Sequence, residues 1–322
     1  MKSNYRYIVK AFMAMAVIAG TTSCDDFLDR EPMSSISPET YYSTAAQLEA
    51  NLNDEYPNVL PSFGQWTYGI FGEDKGTDNQ IEVNANDRYT QDRWKVPHSE
   101  SDNWKFERIY RINFFLSEAL PKFGEDMSGS QNTISGSVAT IKHYIGEMYF
   151  LRAYEYFKKL QLFGDFPIIN QPLADEMEAL REASKRFPRN EVARFIISDL
   201  DKAYAYMSDV DMATTRINKD VAMLVKSRVA LFEATWLQNF KGTAFVPGGE
   251  GWPGASLHNN YQYPSGNIDN EVKYFLEQAV EASKLVADKY KGSLTENTGV
   301  LQQSADDPSN PYFDMFAQED LS

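Results

Sequence analysis

Residues 146–167 read GEMYFLRAYEYFKKLQLFGDFP, and the fold class follows from them. Apolar or aromatic side chains recur at positions 138, 141, 145, 149, 153, 156, 160 and 163, in steps that keep one face of an α-helix continuously apolar. Gly164 is expected to end the helix, because it adopts a left-handed backbone without a Cβ clash, and Pro167 keeps the helix from resuming. The sequence therefore predicts a long buried helix over 137–163.

Helical spacing recurs on both sides of this segment. Further helices are predicted from Ser37, as a cap before Pro38, to Tyr56; from Ser101 to Leu120; from Asn190, as a cap, to Met207; from Asn218 to Trp236; and from Asn270, as a cap, to Tyr290. In the second of these, Trp104, Phe106, Ile109 and Tyr110 begin the apolar stripe. A mainly α-helical chain is expected.

The stretch between residues 58 and 100 differs from the rest. Glycine and proline interrupt every helical run there, while tryptophan, tyrosine and phenylalanine recur among aspartate, asparagine and arginine. A loop of this length in a compact domain is either functional or disordered, and its aromatic content argues against disorder. Sugar rings stack their C–H faces on such aromatics, and their hydroxyls bond to such polar groups. The alternative is a small satellite core beneath the loop.

Composition narrows the range of ligands. The 322 residues contain 31 Lys plus Arg and 46 Asp plus Glu, a net charge of −15. An acidic surface repels nucleic acid and anionic membrane, so no nucleic-acid partner is expected, and a neutral ligand fits more easily.

The N-terminus has the pattern of a secretion signal. Lys2, Arg6 and Lys10 precede a ten-residue apolar run that is too short to cross a bilayer, and three small residues follow before Cys24. Cys24 is the single cysteine, so it forms no internal disulfide. It is either a dispensable residue beside a cleavage site or, as its position favours, the lipidated N-terminus of a bacterial lipoprotein.

Motifs for covalent chemistry are missing. The patterns H-E-x-x-H, G-x-S-x-G and G-x-x-x-x-G-K-[ST] do not occur, and His143 beside the apolar stripe is expected to be structural. A G-x-G-x-x-G at 249–254 has no βαβ unit around it and is interpreted as a loop. Asp74 and Asp78 are spaced as in a calcium loop, but Ala85 occupies the last ligand position. Neither a metal nor a cofactor is predicted.

Several of these segments resemble one family. The chain is similar to signatures of the SusD/RagB family of surface lipoproteins at three places. These are G-E-M-Y-F-L-R-A-Y-E-Y-F with L-F-G-D-F-P at 146–167, W-x5-Y-x-I-N-x2-L from Trp104 to Leu116, and L-D-x-x-P at 28–32. The resemblance implies a tetratricopeptide-like helical-repeat scaffold with long irregular ligand-binding loops. It also implies a protein of the outer membrane that binds a nutrient glycan for a TonB-dependent, SusC-like transporter.

The resemblance sets expected boundaries. These are a lipoprotein signal peptide at 1–23, an acidic tether at 24–36 and a SusD-like helical domain at 37–322. Residues 311–316, PYFDMF, look like the family segment that precedes its second half, so the chain is expected to cover about the N-terminal half of the family pattern.

In the family, glycan contacts come partly from a loop just before the W-x5-Y helix. This places Arg88, Tyr89, Asp92 and Trp94 in the glycan site, and Trp66 and Asp78 are added as further candidates. Lipidation is assigned to Cys24, and no catalytic residue is assigned. Two alternatives remain: a helical-repeat interaction scaffold that binds no glycan, and a glycoside hydrolase, which would need two facing carboxylates.

Overall fold

The computed structural model describes residues 41–61, 103–124, 126–208 and 212–294, together with Asn310. The described residues from Tyr42 onward belong to one compact unit. They form helices joined by turns, and the only β structure among them is two isolated bridges. The predicted all-α fold is confirmed for this part of the chain.

Seven described α-helices follow one another along the chain. They are α1 (Ala45–Val59), α2 (Glu107–Phe123), α3 (Val138–Phe163), α4 (Met177–Ala183), α5 (Arg189–Tyr206), α6 (Lys219–Asn239) and α7 (Ile268–Tyr290), with a 3-10 turn at Pro253–Ser256. None of these helices has both the length and the apolar content needed to cross a bilayer.

Helix α3 lies at the centre of the unit. It has 26 residues, most of them buried, and α1, α2 and α5 all pack against it. Burial on several sides requires neighbouring helices around α3. Gly146 permits the close approach of α5, because a Cβ at this position would lie 2.8 Å from the backbone nitrogen of Met207. The helix ends at Gly164, with φ at 67°, as predicted.

The later helices form an antiparallel series. The start of α5 meets the end of α6 through Arg189 and Glu233, whose Nη2 and Oε2 atoms are 2.8 Å apart. The start of α6 meets the end of α7 through Asp220 and Lys289. Successive antiparallel helices are the arrangement of helical-repeat proteins, so the predicted scaffold type is confirmed.

Two predicted helices differ from the structure at their N-terminal ends. The predicted start at Ser37 lies outside the described residues, but the predicted helix is not continuous, because residues 42–44 are not helical and helix α1 begins at Ala45. The Thr44 hydroxyl accepts from the backbone N–H of Gln47, and the Gln47 side chain accepts from that of Thr44. This reciprocal capping box fixes a new helix start. Helix α2 begins at Glu107 rather than at Ser101, because the side chains just before it pack into an aromatic cluster.

Two predicted caps are also wrong. Helix α5 begins after Pro188, and Asn190 lies inside its first turn, fully buried. The Asn190 amide donates to Glu271 at 3.0 Å, so a tertiary contact occupies the side chain that was expected to cap. The cap of α7 is Asn267, whose side chain accepts from the backbone N–H of Asn270. The predicted start of α6 after Asn218 is confirmed, and the Asn218 side chain caps the helix by accepting from the backbone N–H of Val221.

Candidate functional site

The residues predicted to bind glycan fall in one stretch of the chain. Trp66, Asp78, Arg88, Tyr89, Asp92 and Trp94 all lie outside the described residues, and so does Cys24. Their roles therefore stay predictions. The described chain resumes at Asn103, immediately after this aromatic loop.

A groove lies where the chain resumes. Its volume is about 340 Å³, and it is lined from the start of α2, the connection after α3, and α4 by Trp104, Phe106, Ile109, Tyr110, Pro167, Ile169, Gln171, Leu173, Ala174, Asp175, Leu180, Ala183 and Ser184. The lining is largely apolar, with a few polar side chains among the aromatics. Small-molecule sites share this composition: apolar walls bind ring faces, and a few polar groups set their orientation.

An aromatic cluster fixes the α2 side of the groove. The Trp104 ring meets those of Phe163 and Phe166 edge-on, each at 4.9 Å between centroids, and Phe106 stacks on Phe166 at 5.2 Å. The guanidinium of Arg186 lies over the Trp104 ring at 4.6 Å. Edge-on and stacked rings of this kind hold one another in place, so the lining of the groove is preorganised.

Tyr110 stands at the rim of the groove. It was predicted to lie in the buried stripe of its helix, and this is wrong, since the residue is 52% exposed. Its ring stacks on Phe114 at 6.1 Å with an interplanar angle of 23°. The spacing could have shown this, because Ile109 and Ile112 keep the helical step on the buried face while Tyr110 lies about 100° round from Ile109. An exposed, braced tyrosine is a stacking surface for a ring.

Side chains of the signature segments on α2 and α3 fix the opposite wall. The Tyr156 hydroxyl donates to the carbonyl of Ile169 at 3.0 Å and accepts from its N–H at 2.8 Å. The Asn113 amide donates to the same carbonyl at 2.9 Å, and the Arg152 guanidinium donates to the carbonyl of Asn170 at 3.1 Å. Burial raises the pKa of Tyr156, so its hydroxyl stays protonated and able to donate. These side chains carried the family resemblance, and in the structure they position backbone.

Arg152 is itself held by a buried carboxylate. Its Nε and Nη2 atoms bond Asp199 on α5 at 2.6 and 2.8 Å, and its Nη1 atom bonds the Asn113 side-chain oxygen at 2.9 Å. Such a two-pronged pair sets the guanidinium plane as well as its position. The groove wall is thereby tied to the packing of α3 on α5.

Asp165 of the L-F-G-D-F-P segment, just after α3, is bonded both to the start of α5 and to the loop that contains Trp252. One carboxylate oxygen accepts from the backbone N–H of Arg189 at 2.9 Å, and the other accepts from the indole N–H of Trp252 at 2.7 Å. Burial raises the pKa of Asp165, although both hydrogen bonds favour the charged form. Trp252 is buried in a segment of turns, so the interpretation of 249–254 as a loop is confirmed.

His143 has the structural role that was predicted. Its Nε2 atom lies 3.0 Å from the carbonyl oxygen of Ile217 and 3.0 Å from Oε1 of Glu147. Glu147 in turn accepts from the Tyr56 hydroxyl and the Arg216 guanidinium. Within the described ranges, no group of three or more His, Cys, Asp or Glu side chains is placed to hold a metal ion.

The fold and the groove together define the class of protein. It is a helical-repeat scaffold with a preformed groove, whose walls are positioned by side chains of the signature segments and whose rim carries an aromatic ring. Residues 26–231 match the model of the SusD-like family described as starch-binding and associating with the outer membrane. The match covers more than half of the chain, and the chain belongs to this family.

Relatives and solved structures carry the same family name. SusD-like protein P2 of Formosa agariphila is 25% identical over 253 residues, which are 75% of this chain and 46% of the relative. SusD-like protein P25 of the same organism is 25% identical over 233 residues, 66% of this chain and 41% of the relative. A SusD-like carbohydrate binding protein from Bacteroides vulgatus superimposes with a TM-score of 0.45 at 14% identity, over 80% of this chain and 47% of that one. The chain spans less than half the length of the curated relatives it matches.

Proposed function

We propose that this protein is a cell-surface lipoprotein that captures an oligo- or polysaccharide and delivers it to a TonB-dependent transporter of the outer membrane. The observation that carries the proposal is the match of residues 26–231 to a family described as starch-binding and outer-membrane-associated. The protein's part in this process is binding, with no covalent step. Cys24 is the proposed lipid anchor.

The groove supports the proposal by its chemistry. Its apolar walls and the exposed ring of Tyr110 suit the C–H faces of sugar rings, while Gln171, Asp175 and Ser184 supply hydrogen-bond partners for hydroxyls. The walls are fixed by hydrogen bonds before any ligand arrives, so little ordering cost accompanies binding.

The aromatic loop completes the proposed site. Tyr89 and Trp94 would stack on sugar rings, and Arg88 and Asp92 would bond hydroxyls, with Trp66 and Asp78 as further candidates. Trp94 precedes Asn103 by nine residues, a chain length of at most about 30 Å. A ligand held by the loop is therefore within reach of the groove.

The test is an affinity measurement on the purified full chain, using a glycan identified by an array screen. Trp94→Ala is expected to weaken binding by about 1–3 kcal/mol, the size of one aromatic stack as measured for bases. The matched control is Phe245→Ala, which removes an exposed aromatic outside both the loop and the groove. Equal affinities for the two variants would contradict the assignment of Trp94.

Delivery needs a separate measurement. Crosslinking in intact outer membranes is expected to join the protein to a TonB-dependent transporter, and deletion of the protein is expected to slow uptake of the bound glycan. Uptake that is unchanged at limiting glycan concentration would contradict the delivery step.

A further inference from the structure

A second cavity borders the same segment of the chain as the groove. It has a volume of about 420 Å³ and is lined by Asn103, Lys105, Glu107, Arg108, Glu155, Lys158, Lys159 and Leu162. The segment 103–107 precedes α2, and its side chains alternate between the two cavities. Trp104 and Phe106 line the groove, whereas Lys105 and Glu107 line this second cavity, which we call the cationic pocket.

The cationic pocket has the opposite charge to the protein as a whole. Four of its eight lining residues are lysine or arginine and two are glutamate, in a chain whose net charge is −15. At physiological ionic strength charges are screened beyond about 8 Å, so a ligand inside the pocket responds mainly to the local cations. The pocket therefore attracts negative charge although the whole surface repels it.

Glu155 gives the pocket a second recognition element. Its side chain is 3% exposed, and its Oε1 atom pairs with Lys159 at 3.2 Å. Its Oε2 atom lies 3.8 Å from both Arg108 and Lys158, beyond hydrogen-bonding distance, and has no hydrogen-bond partner. A buried carboxylate oxygen without a donor is costly, and a hydroxyl that enters the pocket would supply that donor.

We propose that the cationic pocket binds an acidic sugar unit, with its carboxylate or sulfate against Arg108 and one of its hydroxyls donating to Oε2 of Glu155. This inference rests on the proposed glycan-binding function and narrows its ligand class to glycans with acidic substituents. A uronic acid and a sulfated sugar both carry an anion and free hydroxyls on one ring, which is the combination that the pocket requires.

The experiment compares ligands that differ only in charge. Isothermal titration of the purified full chain uses an oligogalacturonide and its methyl-esterified form in one arm, and a sulfated galactan oligosaccharide and its desulfated form in the other. The two arms distinguish carboxylate from sulfate. At least one acidic form is expected to bind at least five-fold more tightly than its neutral counterpart, and the difference is expected to shrink as salt is raised.

Three variants locate the effect. Arg108→Gln is expected to reduce affinity for the acidic ligand about five-fold, a moderate loss because the Arg108 side chain is 49% exposed. Arg108→Lys keeps the charge and is expected to retain most of the affinity. The control Arg228→Gln removes the same charge from an exposed site on α6, and we expect no change.

The outcomes distinguish the acidic-sugar site from the more general proposal that the protein binds a glycan. Equal binding of charged and neutral forms, or equal effects of Arg108→Gln and Arg228→Gln, would overturn the acidic-sugar site while leaving glycan binding intact. Failure to bind any glycan on a broad array would overturn both.

Discussion

Replacing Arg152 with methionine tests the idea that the signature helix acts by positioning backbone. Methionine keeps most of the apolar stem and removes the guanidinium. The loss breaks two bonds to Asp199, one to the Asn113 side chain and one to the carbonyl of Asn170. Asp199 is fully buried, so its carboxylate would be left without its strongest partner in a site closed to water.

The expected cost is about 4 kcal/mol in the free energy of unfolding, because removing one partner of a buried pair typically costs 3–5 kcal/mol. The assay is urea unfolding followed by far-UV circular dichroism. The matched control is Arg181→Met on α4, whose arginine is 68% exposed and pairs with exposed Glu178. Its expected cost is at most about 0.5 kcal/mol.

A double variant separates the cost of losing the ion pair from the cost of leaving the Asp199 carboxylate buried without its partner. Arg152→Met with Asp199→Leu removes both charges, and it is expected to recover part of the stability lost in the single variant, since apolar replacement of a whole buried pair is tolerated. Two results would refute the positioning role of Arg152. One is an unfolding free energy that falls no more in Arg152→Met than in Arg181→Met. The other is a double variant whose loss of stability equals the sum of the losses in Arg152→Met and Asp199→Leu alone.

Three further predictions concern other parts of the chain. Burial alone would raise the pKa of Glu271, but hydrogen bonds led by Arg194 hold it below its usual range. The charged Glu271 therefore stabilises the fold above the pKa of an unfolded glutamate, and this stabilisation is lost as pH falls through the pKa of Glu271 in the folded protein. Glu271→Gln should cost about 2 kcal/mol in urea unfolding at neutral pH and progressively less below about pH 4. A difference in unfolding free energy between the two proteins that widens in acid would contradict this prediction. Gly146→Ala should destabilise by about 2 kcal/mol in the same assay, because its Cβ would meet the Met207 backbone at 2.8 Å, whereas a neutral effect would disprove that contact. Cys24→Ser should release the protein from the membrane fraction on cell fractionation if Cys24 is the anchor, and unchanged membrane association would exclude that role.

Much of the helix interior was predictable from sequence because burial follows the helical period, although Tyr110 on α2 is an exception. Val192, Ile196 and Leu200 on α5 were predicted to be inside and are buried. The caps were less predictable, because asparagine caps a helix or bonds a distant partner with the same side chain. Asn190 bonds Glu271, which lies 81 positions away, and spacing within one helix carries no information about that contact.

The groove could not be predicted for a related reason. It combines the start of α2 with the segment after α3, and these meet only through tertiary packing. Trp104 was assigned to a helical stripe because its spacing fits one, but its ring packs against Phe163 and Phe166 from outside the helix. The family motif indicated which side chains matter, while their bonds to the carbonyls of Ile169 and Asn170 became apparent only in three dimensions.

The most direct test of glycan capture is a broad glycan array probed with the purified full chain, after cooperative unfolding has shown that the chain is folded. The account predicts reproducible binding to at least one oligo- or polysaccharide, with competition by the same glycan free in solution. Binding to no glycan by a demonstrably folded chain would contradict the account and favour a helical interaction scaffold instead.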